Sequence, residues 1–260
     1  MSHPLGYVDA SYLQKVGELL LPAKQRTYSL MGVQPGQTVL DVGCGTGIDT
    51  VALAVLVGSS GRVVGVDYDA NMLAKADQRA LEANVSAWVS HQKADVTQLP
   101  FEDNTFDSCR SERVFQHLRE PEKALDEMVR VTKPGGWIVI FDADWGTLSI
   151  NTSETDLEWR LVRFKAEHLQ HNGYSGRKLL GMFKRRGLGD IAVEPSASYF
   201  DDLSMARFSA RFDEFEQEAV ARGIITPDEL ARWRASLEQA AASGDFFMSI
   251  TGMMVVGRKP

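Results

Sequence analysis

Residues Thr38–Gly47 have the sequence TVLDVGCGTG, a short β-rich apolar run followed by three glycines at alternate positions. The apolar run ends abruptly at Asp41-Val42, which predicts a short buried strand. The glycines let the backbone turn sharply and leave no side chain between the loop and a ligand. A helical apolar pattern runs from Ile48 to Val57, so the N-terminus of that helix points at the loop. A strand, a glycine loop and a helix in this order predict the nucleotide-binding corner of an α/β sheet.

Two carboxylates indicate which nucleotide the loop binds. The dinucleotide fingerprint needs its third glycine where this chain has Ile48, and a carboxylate at Asp41 would repel a pyrophosphate. That carboxylate suits a cationic group such as an ammonium or a sulfonium. Asp67 ends the next apolar run, Arg62–Asp67, where an acidic side chain can accept hydrogen bonds from both ribose hydroxyls. An adenosine with a cationic tail and no phosphate describes S-adenosylmethionine.

The sequence around these residues resembles a known family. Val39–Gly47 is similar to motif I of the class I S-adenosylmethionine-dependent methyltransferases, and the resemblance is closest to their ubiquinone/menaquinone-biosynthesis-like small-molecule branch. It covers residues 25–142, somewhat under half of the chain. Five motifs in the family's order are far more specific than one glycine loop. The four that follow motif I are Val64–Asp67 with Asn71–Leu73, Ala94–Val96 with Leu99–Phe101, Phe106-Asp107 with Ser111, and Arg130–Gly136.

The resemblance assigns a cofactor site for S-adenosylmethionine. It implies that Asp67 holds the ribose, while Asp95 and the amide of Val96 bind the adenine. Met72 would touch the adenine face, although a methionine at helical spacing is more often core, and Asp95 can alternatively cap a turn. Tyr68 would cover the adenine or the ribose. The expected cofactor-binding residues are Asp41, Gly43, Gly45, Gly47, Asp67, Tyr68, Met72, Asp95, Val96 and Ser111.

Methyl transfer from a sulfonium is an SN2 displacement, so the enzyme mainly holds the nucleophile in line, roughly 3 Å from the methyl carbon. A general base helps only when the nucleophile carries a proton of high pKa. His117, just after the predicted fourth strand, is the candidate base, with packing beneath the substrate pocket as an equal alternative. Asp144 follows the predicted fifth strand beside Asp142, and either can bind substrate or cap the next turn. The expected catalytic residues are therefore His117 and Asp144.

Further residues indicate what kind of acceptor molecule the site can bind. Trp145 can form an aromatic wall and stabilise the methyl-sulfonium charge. Arg113 can bind the methionine carboxylate or a substrate anion, or form a surface ion pair. Many aromatic residues in the predicted lid favour a small hydrophobic or aromatic acceptor, unless they pack the lid itself. They are Trp159, Phe164, Tyr174, Phe183, Phe208, Phe212 and Phe215.

Composition excludes several classes of partner. The net charge is −7 without a basic block, so no nucleic-acid partner is expected. No apolar stretch is long enough to span a membrane.

The presence of only two cysteines and the absence of a signal peptide favour the cytoplasm. His168 and His171 have the spacing of two metal ligands, but no third ligand is evident, so no metal is expected. We expect a small-molecule acceptor and a monomer or homodimer.

The 260 residues predict one α/β methyltransferase domain. Its Rossmann-like sheet should have seven mostly parallel strands, an antiparallel last strand, helices on both faces and helical lid insertions. The fifth strand should end at Phe141, the sixth should break at Pro195, and one helix should span 201–222. The expected segments are an N-terminal helical cover at 1–34, the cofactor-binding core at 35–142, lid insertions at 143–187 and 201–245, and the last strands at 188–200 and 246–260. In the cover, the resemblance implies that Tyr7, Tyr12 and Arg26 help to enclose the cofactor.

Three alternatives remain open at this point. A nicotinamide-dependent reductase with a degenerate loop is disfavoured by Asp41 and Ile48. A non-catalytic S-adenosylmethionine-binding or partner protein is compatible with every motif, because a fold does not guarantee turnover. A protein or nucleic-acid methyltransferase would need a basic surface, which the sequence does not indicate.

Overall fold

The computed structural model describes residues 10–260, apart from the side chains of Ala10 and Gln14, and Tyr7 of the predicted cover lies outside this range. The described residues form one sheet of seven strands. In chain order these are β1 (Thr38–Val42), β2 (Arg62–Asp67), β3 (Val89–Lys93), β4 (Phe106–Glu112), β5 (Thr132–Ile150), β6 (Gly189–Phe200) and β7 (Met248–Arg258).

The sheet has the order β3-β2-β1-β4-β5-β7-β6, with β1 at the centre of its parallel half. β1 pairs in parallel with β2 and β4, while β7 lies between β5 and β6 and is antiparallel to both. The predicted Rossmann-like sheet with an antiparallel last strand is thereby confirmed. Because the parallel strands end at one edge, the glycine loop, Asp67 and the segment after β4 meet there.

Helices cover both faces of the sheet, as predicted. Met31, Leu53 and Ala80 pack on one face, and Leu125 and Leu179 pack on the other. No helix within residues 10–260 is both long and apolar enough to cross a membrane. The helices are α1 (Ala10–Leu19), α2 (Leu21–Leu30), α3 (Ile48–Val57), α4 (Ala70–Glu82), α5 (Pro121–Val131), α6 (Thr155–His168), α7 (Ser175–Arg185), α8 (Leu203–Ala210), α9 (Phe212–Ala221) and α10 (Pro227–Ser243), with a 3-10 turn at Phe115–His117.

A second hydrophobic core lies at the carboxyl edge beside β5 and β7. Helices α6, α8, α9 and α10 pack together around Trp233, which is fully buried and donates its Nε1–H to Glu216. The same cluster includes Leu148 and Ile150 of β5 and Met248 of β7. These four helices, which we call the lid, therefore have a core of their own that is anchored on the ends of two strands.

Three local predictions were wrong. β5 does not end at Phe141 but continues to Ile150, because its last residues pair with the start of β7. β6 passes through Pro195 without a break, since it is an edge strand and edge strands tolerate a missing N–H. The helix expected over 201–222 is divided at Arg211, whose left-handed φ of 53° ends α8 and begins α9.

Candidate active site

The glycine loop between β1 and α3 is fastened to the end of β2. The amides of Gly43 and Cys44 both donate to the carbonyl of Val66, at 2.7 and 2.9 Å. Gly43 has a φ of 77°, and a Cβ added there would lie 2.2 Å from Cγ2 of Val114. No larger residue fits this backbone without displacing its neighbour. The loop therefore presents bare backbone to the space in front of it.

Asp67 ties the loop to the next turn and still faces outward. Its Oδ2 accepts the amide hydrogen of Gly45 at 2.8 Å, and its Oδ1 accepts that of Asp69 at 2.9 Å. Each carboxylate oxygen can accept a further hydrogen bond. Because Asp67 also lines the cavity described next, it presents two fixed acceptors, the arrangement that a ribose diol needs.

A cavity of about 500 Å³ opens at the carboxyl edge of the sheet, a size typical of small-molecule sites. Its first half lies at the ends of β1, β2 and β3, and its second half lies under the lid. Seven of the ten predicted cofactor residues line the first half, so the structure brings them together as the motifs predicted. They are Gly43, Gly45, Asp67, Tyr68, Met72, Asp95 and Val96.

The other three predicted cofactor residues lie behind the loop. The Ser111 hydroxyl is buried and donates to the carbonyl of Val42 at 3.0 Å. Gly47 has a φ of 73° at the start of α3, where a Cβ would lie 2.8 Å from the Cβ of Ala76. Asp41 is 2% exposed and faces a pocket of about 50 Å³ behind the loop. These three residues do not line the cavity, because their positions support the loop from the inside, and their assignment as cofactor-binding residues stays a prediction.

Asp41 belongs to a buried cluster of five charged side chains beneath the loop. The Arg110 guanidinium contacts carboxylates of Asp41 at 3.1 Å, Asp49 at 3.2 Å and Glu112 at 2.6 Å. The Lys24 ammonium from α2 contacts Asp49 at 2.7 Å and Glu112 at 2.8 Å. The cluster therefore joins the N-terminal cover to β1, α3 and β4.

Burial and the two cations act in opposite directions on these carboxyl groups. Burial raises the pKa of Asp41 to about 7, although Arg110 opposes the rise. Burial also acts to raise the pKa of Asp49, but Arg110 and Lys24 outweigh it and hold that pKa below its usual value. The pKa of Glu112 is likewise lowered against the effect of burial. Asp41 is thus the carboxyl group of the cluster that titrates near neutral pH.

Asp95 caps a turn and lines the cavity at the same time. Its Oδ1 accepts hydrogen bonds from the amide and the hydroxyl of Thr97, at 2.8 and 2.7 Å, and these bonds lower its pKa. Both interpretations of this residue are therefore compatible with its position. Tyr68 is 74% exposed at the cavity mouth, with Lys93 over its ring, where a flat side chain can cover a bound purine.

His117 lies on the 3-10 turn after β4 and lines the cavity. Its Nδ1 is buried with the Gln170 side chain close by, and neither this nitrogen nor Oε1 of Gln170 makes a well-formed hydrogen bond among residues 10–260. Burial lowers the pKa of His117 to about 4, and the nearby Arg113 adds to this effect. The imidazole is therefore neutral at pH 7 and can accept a hydrogen bond from a ligand.

Asp144 does not face the cavity. Successive side chains of a strand point to opposite faces, and Phe141, Ala143 and Trp145 are the β5 residues that line the wall. Asp144 is 1% exposed, pairs with the Arg177 guanidinium and accepts the Gly146 amide. Its assignment as a catalytic residue is corrected accordingly, because the side chain anchors α7 to β5.

The neighbouring Asp142 also turns away from the cavity. It accepts the amide hydrogens of Gln116 and Ala143, and burial raises its pKa to about 7. Of the two alternatives that the sequence left open for Asp142, the structure shows capping. The carboxyl group holds the 3-10 turn that carries His117 against the end of β5.

The N-terminal cover contributes Tyr12 but not Arg26 to the cavity. Tyr12 lines the cavity and donates its hydroxyl hydrogen to the carbonyl of Ser209 in the lid, at 2.7 Å. Arg26 instead forms a two-point ion pair with Glu194 on β6, which corrects its expected position. Helix α1 is therefore joined directly to the lid over the opening of the cavity.

The lid also places polar groups in the cavity that the sequence did not indicate as functional. Gln170 and Ser209 line it, and their Oε1 and Oγ atoms are buried without hydrogen-bond partners among the described residues. Lys165 lines it as well. A signal for Lys165 existed, since it follows Leu157 and Leu161 at intervals of four and shares their buried helix face. No sequence signal marks Gln170 or Ser209.

The strand order, the bare loop and the outward-facing Asp67 define a Rossmann-like protein that binds an adenosine-containing ligand. Residues 40–140 match the model of a family of methyltransferase domains. The chain is 31% identical over 252 residues to an uncharacterized 37.1 kDa protein in transposon TN4556 of Streptomyces fradiae, a match covering 96% of this chain and 71% of that protein. That relative's name gives no family, but the matching domain and the methyltransferases among the relatives indicate a class I S-adenosylmethionine-dependent methyltransferase with S-adenosylmethionine as co-substrate.

Two further comparisons agree with this assignment. Over 125 residues the chain is 39% identical to demethylmenaquinone methyltransferase of Bacillus cereus, a match covering 48% of this chain and 52% of that enzyme. The match therefore spans about half of the length of that relative, and it confirms the resemblance to the quinone-biosynthesis-like branch. The fold is similar to that of geranyl diphosphate C-methyltransferase from Streptomyces coelicolor, with a TM-score of 0.60 and 17% identity over 100% of this chain and 90% of that one. That structure contains S-adenosyl-L-homocysteine.

The residues of the first half of the cavity fit S-adenosylmethionine. Gly43 and Gly45 line the cavity with backbone alone, and Asp67 presents its two acceptors beside them. Met72 and Val96 supply buried apolar surface for a purine. Glu112 also lines the cavity and adds a carboxylate that suits the cationic part of the ligand.

Proposed function

We propose that this methyltransferase acts on a small, largely apolar organic acceptor bound in the second half of the cavity. The observation that carries the proposal is the continuity of one cavity from Asp67 to an apolar wall under the lid. A cofactor placed on Asp67 leaves that wall facing the inner half of the space. The apolar side chains of the wall are Trp145, Leu148, Phe200, Met248 and Ile250.

The chain's contribution to methyl transfer is positioning. Bound S-adenosylmethionine supplies an activated methyl group on a sulfonium, which needs no further activation by the protein. The acceptor nucleophile must lie in line with the sulfur–methyl bond, and holding it there removes much of the entropic barrier. Trp145 is a fixed part of this wall, because its Nε1–H donates to Oε1 of Gln116 at 2.5 Å. The lid core and α1 cover the inner half.

In this proposal His117 binds the acceptor nucleophile. Its neutral imidazole carries an unpartnered Nδ1 at the wall between the two halves of the cavity. A hydroxyl or amine of the acceptor can donate a hydrogen bond to that nitrogen, which orients the nucleophile toward the methyl group. A carboxylate is not available for this role from β5, since Asp142 and Asp144 face the other side.

Calorimetric titration of the full chain tests the cofactor half first. S-adenosylmethionine and S-adenosylhomocysteine should bind in the micromolar range, about −8 kcal/mol, while NADH should not bind. A panel of small acceptors is then screened for release of S-adenosylhomocysteine. Turnover only with protein or nucleic-acid acceptors contradicts the proposal, and cofactor binding without turnover of any acceptor supports the non-catalytic alternative.

We expect His117→Phe to lower turnover about a hundredfold, the effect of misplacing a reacting group. The phenyl ring retains the packing of the imidazole but cannot accept a hydrogen bond from the acceptor. Affinity for S-adenosylhomocysteine and thermal stability should change little. His168→Gln is the control, because His168 is exposed and stacks on Phe164. Full turnover with lower stability in His117→Phe would show that the residue only packs the pocket.

A further inference from the structure

Lys165 is a buried cation in the wall of the cavity. The residue is 4% exposed on α6, and its Nζ lies 4.4 Å from the ring centroid of Trp145 and 5.0 Å from that of Phe215. One N–H of the ammonium donates to the carbonyl of Ala210 at 2.7 Å. An ammonium has three N–H donors, so this carbonyl satisfies only part of its capacity.

No carboxylate within residues 10–260 lies within 4.0 Å of this ammonium. The charged groups that act on it are Glu214 and Arg211, at the start of α9, and they have opposite effects on its pKa. Lys24 is the instructive comparison. It is equally buried, at 3% exposed, but it contacts both Asp49 and Glu112. A buried charge is normally paired in this way, because leaving it unpaired is costly.

The space beside Lys165 carries further groups that favour an anion. Ser209, next to Ala210 in α8, lines the cavity with a buried hydroxyl that has no partner among the described residues. Arg211 follows in the same segment and lines the cavity as well, and its guanidinium pairs with Glu214 at 2.7 Å. The acidic lining residues, Asp67 and Asp95 among them, belong to the cofactor half. The lid half therefore contains one buried cation, Lys165, that contacts no carboxylate among the described residues, with the Ser209 hydroxyl beside it.

We propose that the acceptor bears a carboxylate, which binds the ammonium of Lys165 while its apolar body lies against the wall formed with Trp145. This inference rests on the proposed function, since it names the chemical class of the acceptor. The two oxygens of the carboxylate can accept hydrogen bonds from the remaining N–H groups of Lys165 and from the hydroxyl of Ser209. Lys165 is thus a specificity-determining residue, and the carboxylate supplies the contacting counter-charge that none of residues 10–260 provides at this position.

The charge state of Lys165 makes binding of the carboxylate dependent on pH. Burial lowers the pKa of Lys165 to about 7, so the free protein holds the ammonium below pH 7 and loses it above. A bound carboxylate favours the charged form and raises this pKa. Affinity should be constant below pH 7 and should fall by up to tenfold for each pH unit above it. At pH 8 binding should take up about one proton.

The test uses the full chain saturated with S-adenosylhomocysteine and matched pairs of carboxylates and neutral amides. The probes are benzoate and benzamide, 2-naphthoate and 2-naphthamide, and indole-3-acetate and indole-3-acetamide, titrated by calorimetry at pH 6.5 and pH 8. At pH 6.5 at least one carboxylate should bind tenfold or more tightly than its amide. Lys165→Met, which keeps the length of the side chain, should lose this preference. Lys184→Met on the exposed surface of α7 is the control and should retain it.

Several outcomes overturn the inference. One is that no pair shows a preference in the wild type, which includes the case in which none of the probes binds. Another is that the preference survives in Lys165→Met. If that variant does not fold, the proton uptake of the wild type at pH 8 decides, and binding without uptake overturns the inference. Failure of S-adenosylhomocysteine itself to bind counts against the proposed function, whereas intact S-adenosylhomocysteine binding without a carboxylate preference counts only against the role of Lys165.

Discussion

We expect Asp67→Ala to weaken binding of S-adenosylmethionine by a hundredfold or more while the protein remains folded. Each hydrogen bond to a charged acceptor contributes about 1.5–3 kcal/mol, and loss of the two ribose bonds removes about 3–6 kcal/mol of binding free energy. A factor of ten corresponds to about 1.4 kcal/mol. The variant also leaves the amides of Gly45 and Asp69 without their acceptor, which loosens the loop. Calorimetric titration measures the change directly.

A second ligand separates the ribose contact from the ordering of the loop. The wild type should bind S-adenosylhomocysteine more tightly than its 2′-deoxy analogue, because the analogue lacks one donor to Asp67. Asp67→Ala should bind both ligands with similar, weak affinity. Asp190→Asn is the control, since Asp190 is 66% exposed on β6, and it should behave as the wild type. If folded Asp67→Ala still discriminates between the two ligands, the ribose assignment is wrong.

The cofactor half of the site was predictable because its residues belong to short sequence motifs at the ends of recognisable strands. Gly43, Gly45 and Asp67 lie at the ends of two strands whose apolar runs are evident in the sequence. Once the strands are parallel and adjacent, their carboxyl ends meet, and seven of the ten expected residues reach one cavity. Ser111 was misplaced because the motif gives a position near the site but not the direction in which a side chain points.

The lid half was not predictable, because its contacts join distant parts of the chain. Lys165 meets the carbonyl of Ala210, 45 residues away, and Tyr12 meets that of Ser209, 197 residues away. Asp144 shows a related difficulty. Successive side chains of a strand lie on opposite faces of the sheet. The prediction that Asp144 lies beside the pocket was correct, but its side chain is on the face of β5 that points away from the cavity. The lid therefore had to be placed by its own core before its polar residues could be interpreted.

The buried charge cluster is where the second large effect is expected. Arg110→Met should lower the free energy of unfolding by about 3–5 kcal/mol, the range for removing one partner from a buried ion pair. Without the guanidinium, Asp41 loses its ion pair, Asp49 retains Lys24, and Glu112 retains Lys24 and Arg113. For a protein of this size 1 kcal/mol corresponds to about 2–4 °C, so the melting temperature should fall by roughly 6–20 °C. Thermal and urea denaturation measure the loss.

The destabilisation of Arg110→Met should also depend on pH in a defined direction. In the wild type, Arg110 and Lys24 hold the pKa of Asp49 and Glu112 below their usual values, so these groups contribute stability that is lost as pH falls. Removing Arg110 lets burial dominate, and the carboxyl groups then favour protonation. The stability difference between wild type and variant should therefore be larger at pH 7.5 than at pH 5.

A matched surface variant and a rescue variant complete the experiment. Arg163→Met removes an exposed arginine that pairs with Glu167 on α6 and should change stability by less than about 1 kcal/mol. Adding Asp41→Asn to Arg110→Met removes the carboxyl group that loses its only ion-pair partner among residues 10–260, and should restore part of the loss. Because Arg110 opposes the effect of burial on the pKa of Asp41, that pKa rises further in Arg110→Met, so this rescue should be greatest well above pH 7. A destabilisation of Arg110→Met that matches Arg163→Met, or that is the same at pH 5 and pH 7.5, would mean that the cluster does not join the N-terminal cover to the core through charge.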